Sequence, residues 1–180
     1  MEINASDVFL AYNDEETQVS EKSIFKKGKG FSVGMSLRHL RMKHSSVFFR
    51  YTEPIVYIST NLYKGNGGMG GYLTDYEKFI DEKNFIENVL AKLPHKVLYK
   101  TYPEQKIRYA DMDPIFDIIK KYKNITLFEK KIDMRYLMMR HRVIITSKAT
   151  SSLSWAMMSL KPLVFINSNI NSPLTYNSYN

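Results

Sequence analysis

Five hydroxyl residues and a lysine lie within seven positions late in the chain, and hydroxyl groups at this density can bind phosphate. The segment follows a short apolar run typical of a buried strand and precedes a predicted helix. Unpaired backbone N–H groups and the helix dipole favour an anion where a helix begins, and hydroxyl donors can rotate to meet its oxygens. We therefore expect a phosphate-binding turn formed by Thr146, Ser147, Lys148, Thr150, Ser151 and Ser152.

The simpler alternative for this turn is that its hydroxyl groups only cap the helix, since Ser and Thr are preferred N-cap residues. One hydroxyl would be enough for a cap, so their number favours phosphate binding. Lys100 closes another predicted strand and could bring a positive charge to the same anion from the side. A lysine in that place is also common on protein surfaces.

A glycine-rich loop follows the first predicted strand, with five glycines between positions 65 and 71. It is not a phosphate-binding P-loop, because no G-K-[ST] sequence follows it. Our first interpretation is a mobile loop, and the second is a loop whose backbone approaches a ligand. The candidate contacts under the second interpretation are Asn61, Gly65, Gly67, Gly68 and Gly70.

The sequence contains none of the usual catalytic motifs. The four histidines are scattered, and His141, just before a predicted strand, is expected to be structural. There is no H-E-x-x-H motif, paired carboxylate or nucleophile elbow. The absence of cysteine excludes disulfides, cysteine-based zinc sites and thiol catalysis. We expect no metal and no cofactor, and we name no catalytic residue; the chain is better equipped to bind a phosphorylated ligand than to transform it alone.

The elements that position these residues are predicted from five short apolar runs that alternate with helical segments, at 55–58, 96–100, 125–128, 143–146 and 163–166. Such alternation indicates βαβ units, whose right-handed crossovers make a parallel sheet with helices on both faces. Runs without polar alternation are typical of strands buried on both sides. We predict an α/β, Rossmann-like domain over residues 54–166, with ligands bound beyond the carboxyl ends of its strands.

The starts of the helices are predicted from capping residues. Asp75 is expected to cap a helix that runs to about Lys92, and Asp113 precedes a proline in the pattern of a second helix start. Asp133 is expected to cap a short helix through Arg140. Ser151 or Ser152 is expected to begin the helix after the hydroxyl-rich turn.

Most of the net charge of +8 on the 180-residue chain lies between positions 21 and 50, where eight basic residues face a single acidic one. We expect residues 1–53 to be a poorly organised basic linker or N-terminal extension, and residues 167–180 to be a polar tail. The basic segment is either a solvated surface or a patch that binds an anionic partner such as a membrane surface. The patch would comprise Lys22, Lys26, Lys27, Lys29, Arg38, Arg41 and Lys43.

The start of the chain has neither the basic nor the long apolar region of a signal peptide, and no apolar run approaches the length of a membrane-spanning helix. We therefore expect a cytoplasmic protein, peripheral at the inner face of the membrane if the basic patch binds lipid.

Several segments resemble the C-terminal half of a GT-B glycosyltransferase, and in particular a family of bacterial transferases of surface-carbohydrate biosynthesis. They are K-T-Y-P at 100–103, D-M-D-P at 111–114 and, most specifically, T-S-K-A-T-S-S-L-S-W followed by K-P-L-V-F-I-N, and the resemblance spans about residues 31–175. It implies two facing Rossmann-like domains, of which this chain is the one that holds a nucleotide-sugar donor. The diphosphate would lie at Thr150, Ser151 and Ser152.

The sequence differs from the family pattern at two positions near the donor site. Tyr102 replaces a histidine that many relatives place near the donor phosphate, and Trp155 stands near the position of a ribose-binding glutamate. The acceptor domain, which often holds the catalytic base, is missing, so we expect a truncated product or a subunit that is inactive without an acceptor-domain partner.

Two other functions stay open from the sequence: a non-catalytic basic module that binds nucleic acid or an anionic membrane surface, and an inactive remnant of an enzyme. No nucleic-acid-binding motif is visible, so nucleic acid is not our expected partner.

Overall fold

The computed structural model describes residues 7–22, 28–34, 53–59, 74–101, 113–130, 132, 134–147 and 151–167. The chain divides into two compact units, Met1–Arg41 and Met42–Asn180. None of the helices in these ranges is long and apolar enough to cross a membrane.

The first unit contains a small β-α-β arrangement: strand β1 (Val8–Ala11), helix α1 (Asp14–Glu21) and strand β2 (Lys29–Ser32). The two strands pair in parallel. The Asn13 side chain caps α1 by accepting from the backbone N–H of Glu16 at 2.7 Å, and the acidic first turn of α1 suits the helix dipole. The expectation that this part of residues 1–53 is poorly organised is therefore wrong, because the polar run at 13–16 is a helix start.

The second unit is built on a five-stranded sheet whose strands are β3 (Ile55–Ile58), β4 (Val97–Lys100), β5 (Ile125–Phe128), β6 (Val143–Thr146) and β7 (Leu163–Phe165). All neighbouring strands are parallel, in the order β5-β4-β3-β6-β7. The chain starts in the middle of the sheet, moves outward to β5 and returns to the other side of β3. This is the Rossmann-like order, and the predicted parallel α/β fold is confirmed.

Helices cover both faces of this sheet. Helix α2 (Asp75–Asn88), a 3-10 turn (Leu90–Lys92) and helix α3 (Ile115–Ile119) lie on one face, and helices α4 (Met134–Met138) and α5 (Ser151–Met158) lie on the other. Successive residues of a strand point to opposite faces. Tyr57 and Tyr99 accordingly pack with Ile86 of α2, whereas Val56 and Ile144 pack on the α4 and α5 side.

The predicted helix starts are partly corrected. The N-cap of α2 is Thr74 and not Asp75: the Thr74 hydroxyl accepts from the backbone N–H of Glu77, whose side chain accepts from the N–H of Thr74. This capping box needs a hydroxyl followed three residues later by an acid. Asp113 does act at the start of α3, because its carboxylate accepts from the N–H of Ile115 at 3.0 Å. Asp133 lies outside the described residues.

Two basic side chains near β6 have structural contacts. His141 is buried, and its Nδ1 lies 2.8 Å from the carbonyl oxygen of Glu53. The Lys161 ammonium donates to the carbonyl oxygens of Met139 and His141, each at 2.5 Å. This burial and contact agree with the expectation that His141 is structural.

Candidate functional site

The carboxyl ends of the neighbouring strands β3 and β6 form the topological switch point of the sheet. The chain leaves β3 toward α2 on one face and leaves β6 toward α5 on the other face. Ile58 is the register partner of Thr146, and the chain continues from them to Ser59 and Ser147. Ligands of open parallel sheets bind in the crevice at such a point. The hydroxyl-rich turn predicted to bind phosphate begins there.

Thr146 is the last residue of β6. It shares a sheet face with Ile144, which is the face that α5 covers. Its side chain is 0% exposed, and among the residues that the structure describes its Oγ1 has no hydrogen-bond partner. Buried hydroxyl groups are nearly always hydrogen-bonded, so Thr146 offers a donor that the described part of the protein does not use.

The rest of the turn is described in part. Helix α5 begins at Ser151 as expected, and the side chain of Ser152 in its first turn is 3% exposed. Lys148 and Thr150 lie outside the described residues. The structure thus places Thr146, Ser147 and the start of α5 at one end of the sheet.

Lys100 ends β4 and is 3% exposed. Its register partner is Ile58, so Lys100 and Thr146 flank Ile58 on the same face, with Cα atoms about 10 Å apart across two strand spacings. The ammonium donates to the carbonyl oxygens of Thr101 and Lys130, at 2.9 and 3.0 Å. Burial lowers the pKa of Lys100 to about 8. To touch a ligand at α5 it must turn away from Lys130.

A buried carboxyl lies on the opposite face, at the same end of the sheet. Glu82 of α2 is 4% exposed. The Tyr57 hydroxyl donates to its Oε2 at 2.9 Å, and the Tyr99 hydroxyl donates to its Oε1 at 2.5 Å. Burial raises the pKa of Glu82, while hydrogen bonds from Tyr99, Tyr57 and Ser59 lower it and the nearby charge of Asp113 raises it.

The Glu82 group is connected to the predicted turn. The Tyr57 hydroxyl lies 3.2 Å from Ser147 Oγ as well as against Glu82. Ser147 therefore points to the α2 side of the sheet, whereas Thr146 points to the α5 side. The side chains of Thr146 and Ser147 thus lie on opposite faces of the sheet, at the carboxyl end of β6.

Neither Glu82 nor the neighbouring Lys78, which is 7% exposed, is among the residues selected from the sequence. A signal for Glu82 is present in the sequence: it lies three residues after Phe79 and four before Ile86, on the apolar stripe of α2. An acid in a core position of a helix indicates a buried polar group with partners. The same signal does not identify the partners, because they lie on separate strands.

The other predicted residues are not brought to this site by the described structure. The glycine-loop candidates Asn61, Gly65, Gly67, Gly68 and Gly70 lie outside the described residues. So do the patch residues Lys26, Lys27, Arg38, Arg41 and Lys43. Lys22 and Lys29 are described and exposed. Within the described ranges no three His, Asp or Glu residues are grouped so as to hold a metal ion.

Comparisons with known proteins give a similarity among solved structures. No protein-family model matches the sequence, and no curated protein matches it at a significant level. Among solved structures, the chain is similar to the spinosyn forosaminyltransferase SpnP at 12% sequence identity and a TM-score of 0.44. The similarity covers 92% of this chain and 36% of that transferase. These values are too low to support a function, and the Rossmann-like assignment rests on the strand order.

Proposed function

We propose that the crevice between the ends of β3 and β6 binds the phosphates of a nucleotide sugar. The observation that carries this proposal is the buried Thr146 hydroxyl, which has no partner among the described residues and lies at the end of β6, on the sheet face that α5 covers. An unsatisfied buried donor costs about 1–3 kcal/mol, and a hydrogen bond to a charged group contributes about 1.5–3 kcal/mol. A phosphate oxygen that accepts from Thr146 would satisfy this donor, and the two figures describe the same interaction, so they do not add.

The surroundings of Thr146 suit an anion. The first turn of α5 has backbone N–H groups without intrahelical partners, and its dipole favours negative charge. Lys100 lies two strands away on the same face. Thr150, Ser151, Ser152 and Lys148 are the further contacts that we propose from the sequence. Affinity for a nucleotide alone is expected at a dissociation constant on the order of 0.1–1 mM.

We further propose that the chain is the donor-binding half of a glycosyltransferase of bacterial surface-carbohydrate biosynthesis. This rests on the resemblance of the 144–167 segment and on a Rossmann-like strand order. The chain would need an acceptor-domain partner for transfer, and no resident cofactor would be required.

Titration with UDP, CDP and GDP tests the phosphate site, with binding followed by calorimetry. Thr146→Val keeps the side-chain shape and removes the hydroxyl, and Ser154→Ala is the matched control because Ser154 is exposed on the same helix. We expect Thr146→Val to weaken binding by about tenfold or more, with Ser154→Ala unchanged. Absence of binding at millimolar nucleotide would refute the proposal, as would equal binding by Thr146→Val and the wild type.

The basic segment supports a second proposal, attachment to the anionic inner face of the cytoplasmic membrane. Lys22 and Lys29 are exposed, and each basic residue near such a surface contributes about 1 kcal/mol, which salt screens. Co-sedimentation with anionic vesicles should fall with added salt and in the Lys22→Glu, Lys29→Glu double variant. Equal binding to neutral vesicles would contradict attachment by charge, and binding to single-stranded RNA alone would favour a nucleic-acid-binding module.

A further inference from the structure

Two oxygen atoms of described residues lie within hydrogen-bond distance of the Tyr57 hydroxyl. This hydroxyl lies 2.9 Å from Glu82 Oε2 and 3.2 Å from Ser147 Oγ. A phenol carries one O–H, so it can donate to only one of these acceptors at a time. The choice between them determines what the Ser147 hydroxyl can do toward a ligand.

We propose that Glu82 is a positioning residue for the ligand crevice. Because Glu82 accepts the hydrogen bond of the Tyr57 hydroxyl, the Ser147 hydroxyl donates to the Tyr57 oxygen. The lone pairs of Ser147 can then accept from a hydroxyl group of the ligand. This inference rests on the proposed phosphate site and goes beyond it, because it assigns a second, different contact. The ligand class is then a phosphate ester that carries a hydroxyl close to its phosphates.

The hydrogen-bond geometry around Glu82 supports this arrangement. Tyr99 donates to the other carboxylate oxygen at 2.5 Å, and Ser59 adds a further hydrogen bond. Burial has the largest effect on Glu82 and raises its pKa, whereas the hydroxyl donors favour the ionised form and lower the pKa in part. While Glu82 is ionised, the Tyr57 proton is attracted to a charge, whereas Ser147 offers only a neutral acceptor. Hydrogen bonds to charged groups are about twice as strong as neutral ones.

The two hydroxyls of the turn then have separate roles. Thr146, on the α5 side, donates to a phosphate oxygen. Ser147, on the α2 side, has its proton directed to Tyr57 and presents lone pairs, which repel a phosphate oxygen and attract a ligand O–H. A nucleoside diphosphate satisfies both positions, whereas inorganic pyrophosphate, which has no carbon-bound hydroxyl and no O–H group when fully ionised, satisfies only the first.

The experiment compares the dissociation constants of UDP and inorganic pyrophosphate, measured by calorimetry on the full chain. Glu82→Met removes both carboxylate oxygens at similar volume, so the Tyr57 proton turns to Ser147 and the Ser147 proton becomes available to pyrophosphate. Asp81→Met, at an exposed position of the same helix, is the control. We expect the preference for UDP over pyrophosphate to fall about 2- to 10-fold in Glu82→Met and to stay unchanged in Asp81→Met.

Tyr57→Phe provides an independent variant in case Glu82→Met folds poorly. It removes the oxygen through which Glu82 acts, so it should shift the preference in the same direction. Ser147→Ala separates positioning from a structural role: in that background neither Glu82→Met nor Tyr57→Phe should alter the preference. A shift that persists without Ser147 would overturn the inference.

The pH profile gives a further readout. Among the described residues, the groups that act on the Glu82 carboxyl include the hydroxyls of Tyr99, Tyr57 and Ser59 and the charge of Asp113 before α3. Burial raises the pKa of Glu82, so Glu82 should begin to protonate above the pH range of an ordinary carboxyl group. Protonation weakens the attraction between Glu82 and the Tyr57 proton, so the UDP preference of the wild type should fall as the pH is lowered through that range, and that of Glu82→Met should change less. Identical profiles in the two proteins would contradict the inference.

The outcomes distinguish this inference from the proposed function. If neither UDP nor pyrophosphate binds the wild type, the phosphate site fails and the role of Glu82 fails with it. If both ligands bind and the preference is unaffected by Glu82→Met and Tyr57→Phe, the phosphate site stands and Glu82 has no positioning role.

Discussion

Replacement of Thr146 by valine should have opposite effects on folding and on ligand binding. Thr146 is 0% exposed, and its Oγ1 has no hydrogen-bond partner in the described part of the chain. Valine has nearly the same shape and lacks the hydroxyl, so Thr146→Val removes a buried donor without leaving a cavity. The free energy of unfolding should rise by about 1–3 kcal/mol, the desolvation cost of an unsatisfied polar group.

The increase in stability should be visible as a rise in melting temperature. For a chain of this size, 1 kcal/mol corresponds to about 2–4 °C. Urea denaturation gives the free energy directly, and an unchanged m-value would show that the unfolded state is the same. Ser152→Ala is the contrasting variant, because Ser152 is buried and partnered, so its loss should destabilise the fold.

The same substitution should weaken nucleotide binding, since the hydroxyl that costs stability in the free protein is the one that a phosphate oxygen would use. A gain in stability with a loss of affinity is the expected signature of a binding donor. If Thr146→Val lowers the free energy of unfolding, the Thr146 hydroxyl has a protein partner and the reasoning is refuted. If stability rises and affinity is unchanged, the hydroxyl is unsatisfied but lies outside the ligand site.

Three further outcomes test other parts of the structure. Burial lowers the pKa of Lys100 to about 8, so between pH 8 and about 10.4 the unfolded state binds more protons than the folded state. The free energy of unfolding of the wild type, relative to Lys100→Met, should therefore rise over that interval and be constant below it. A rise confined to pH 5–7 would contradict the lowered pKa of Lys100. Thr74→Ala removes the capping box of α2 and should lower the free energy of unfolding, measured by urea denaturation, by about 0.5–2 kcal/mol. Asn84 is exposed on the same helix, so Asn84→Ala should not destabilise the protein. Equal effects of the two variants would refute the capping role of Thr74. Asn13→Ala should reduce hydrogen-exchange protection in α1, because it removes the acceptor for the Glu16 N–H, and unchanged protection there would show that this cap is dispensable.

The fold of the second unit could be predicted from the sequence because its strands are buried on both faces. Runs such as Ile55–Ile58 and Val143–Thr146 are apolar without alternation, and between them lie helical segments long enough for a crossover. The parallel direction of the strands then follows from these crossover connections. The first unit was missed because β1 and β2 are short and much of their surface is exposed, so neither carries a strong periodic signal.

The candidate site could be predicted only in part. The position of the turn follows from a general property of parallel sheets, and Thr146 lies where that property puts it. The network of Glu82, Tyr57, Tyr99 and Ser147 could not be predicted, because it joins side chains between 17 and 90 residues apart in the chain. Such contacts depend on the packing of α2 against the sheet. The direction of the Lys100 ammonium toward Lys130 has the same origin.

The measurement that tests the central claim most directly is a titration of the ¹⁵N-labelled chain with UDP, followed by amide chemical shifts. We predict saturable shifts at Thr146, Ser147 and the first turn of α5, with a dissociation constant on the order of 0.1–1 mM, and weaker shifts at the same amides in Thr146→Val. Shifts confined to the basic residues of the first unit, or none at millimolar nucleotide, would contradict phosphate binding at the switch point of the sheet.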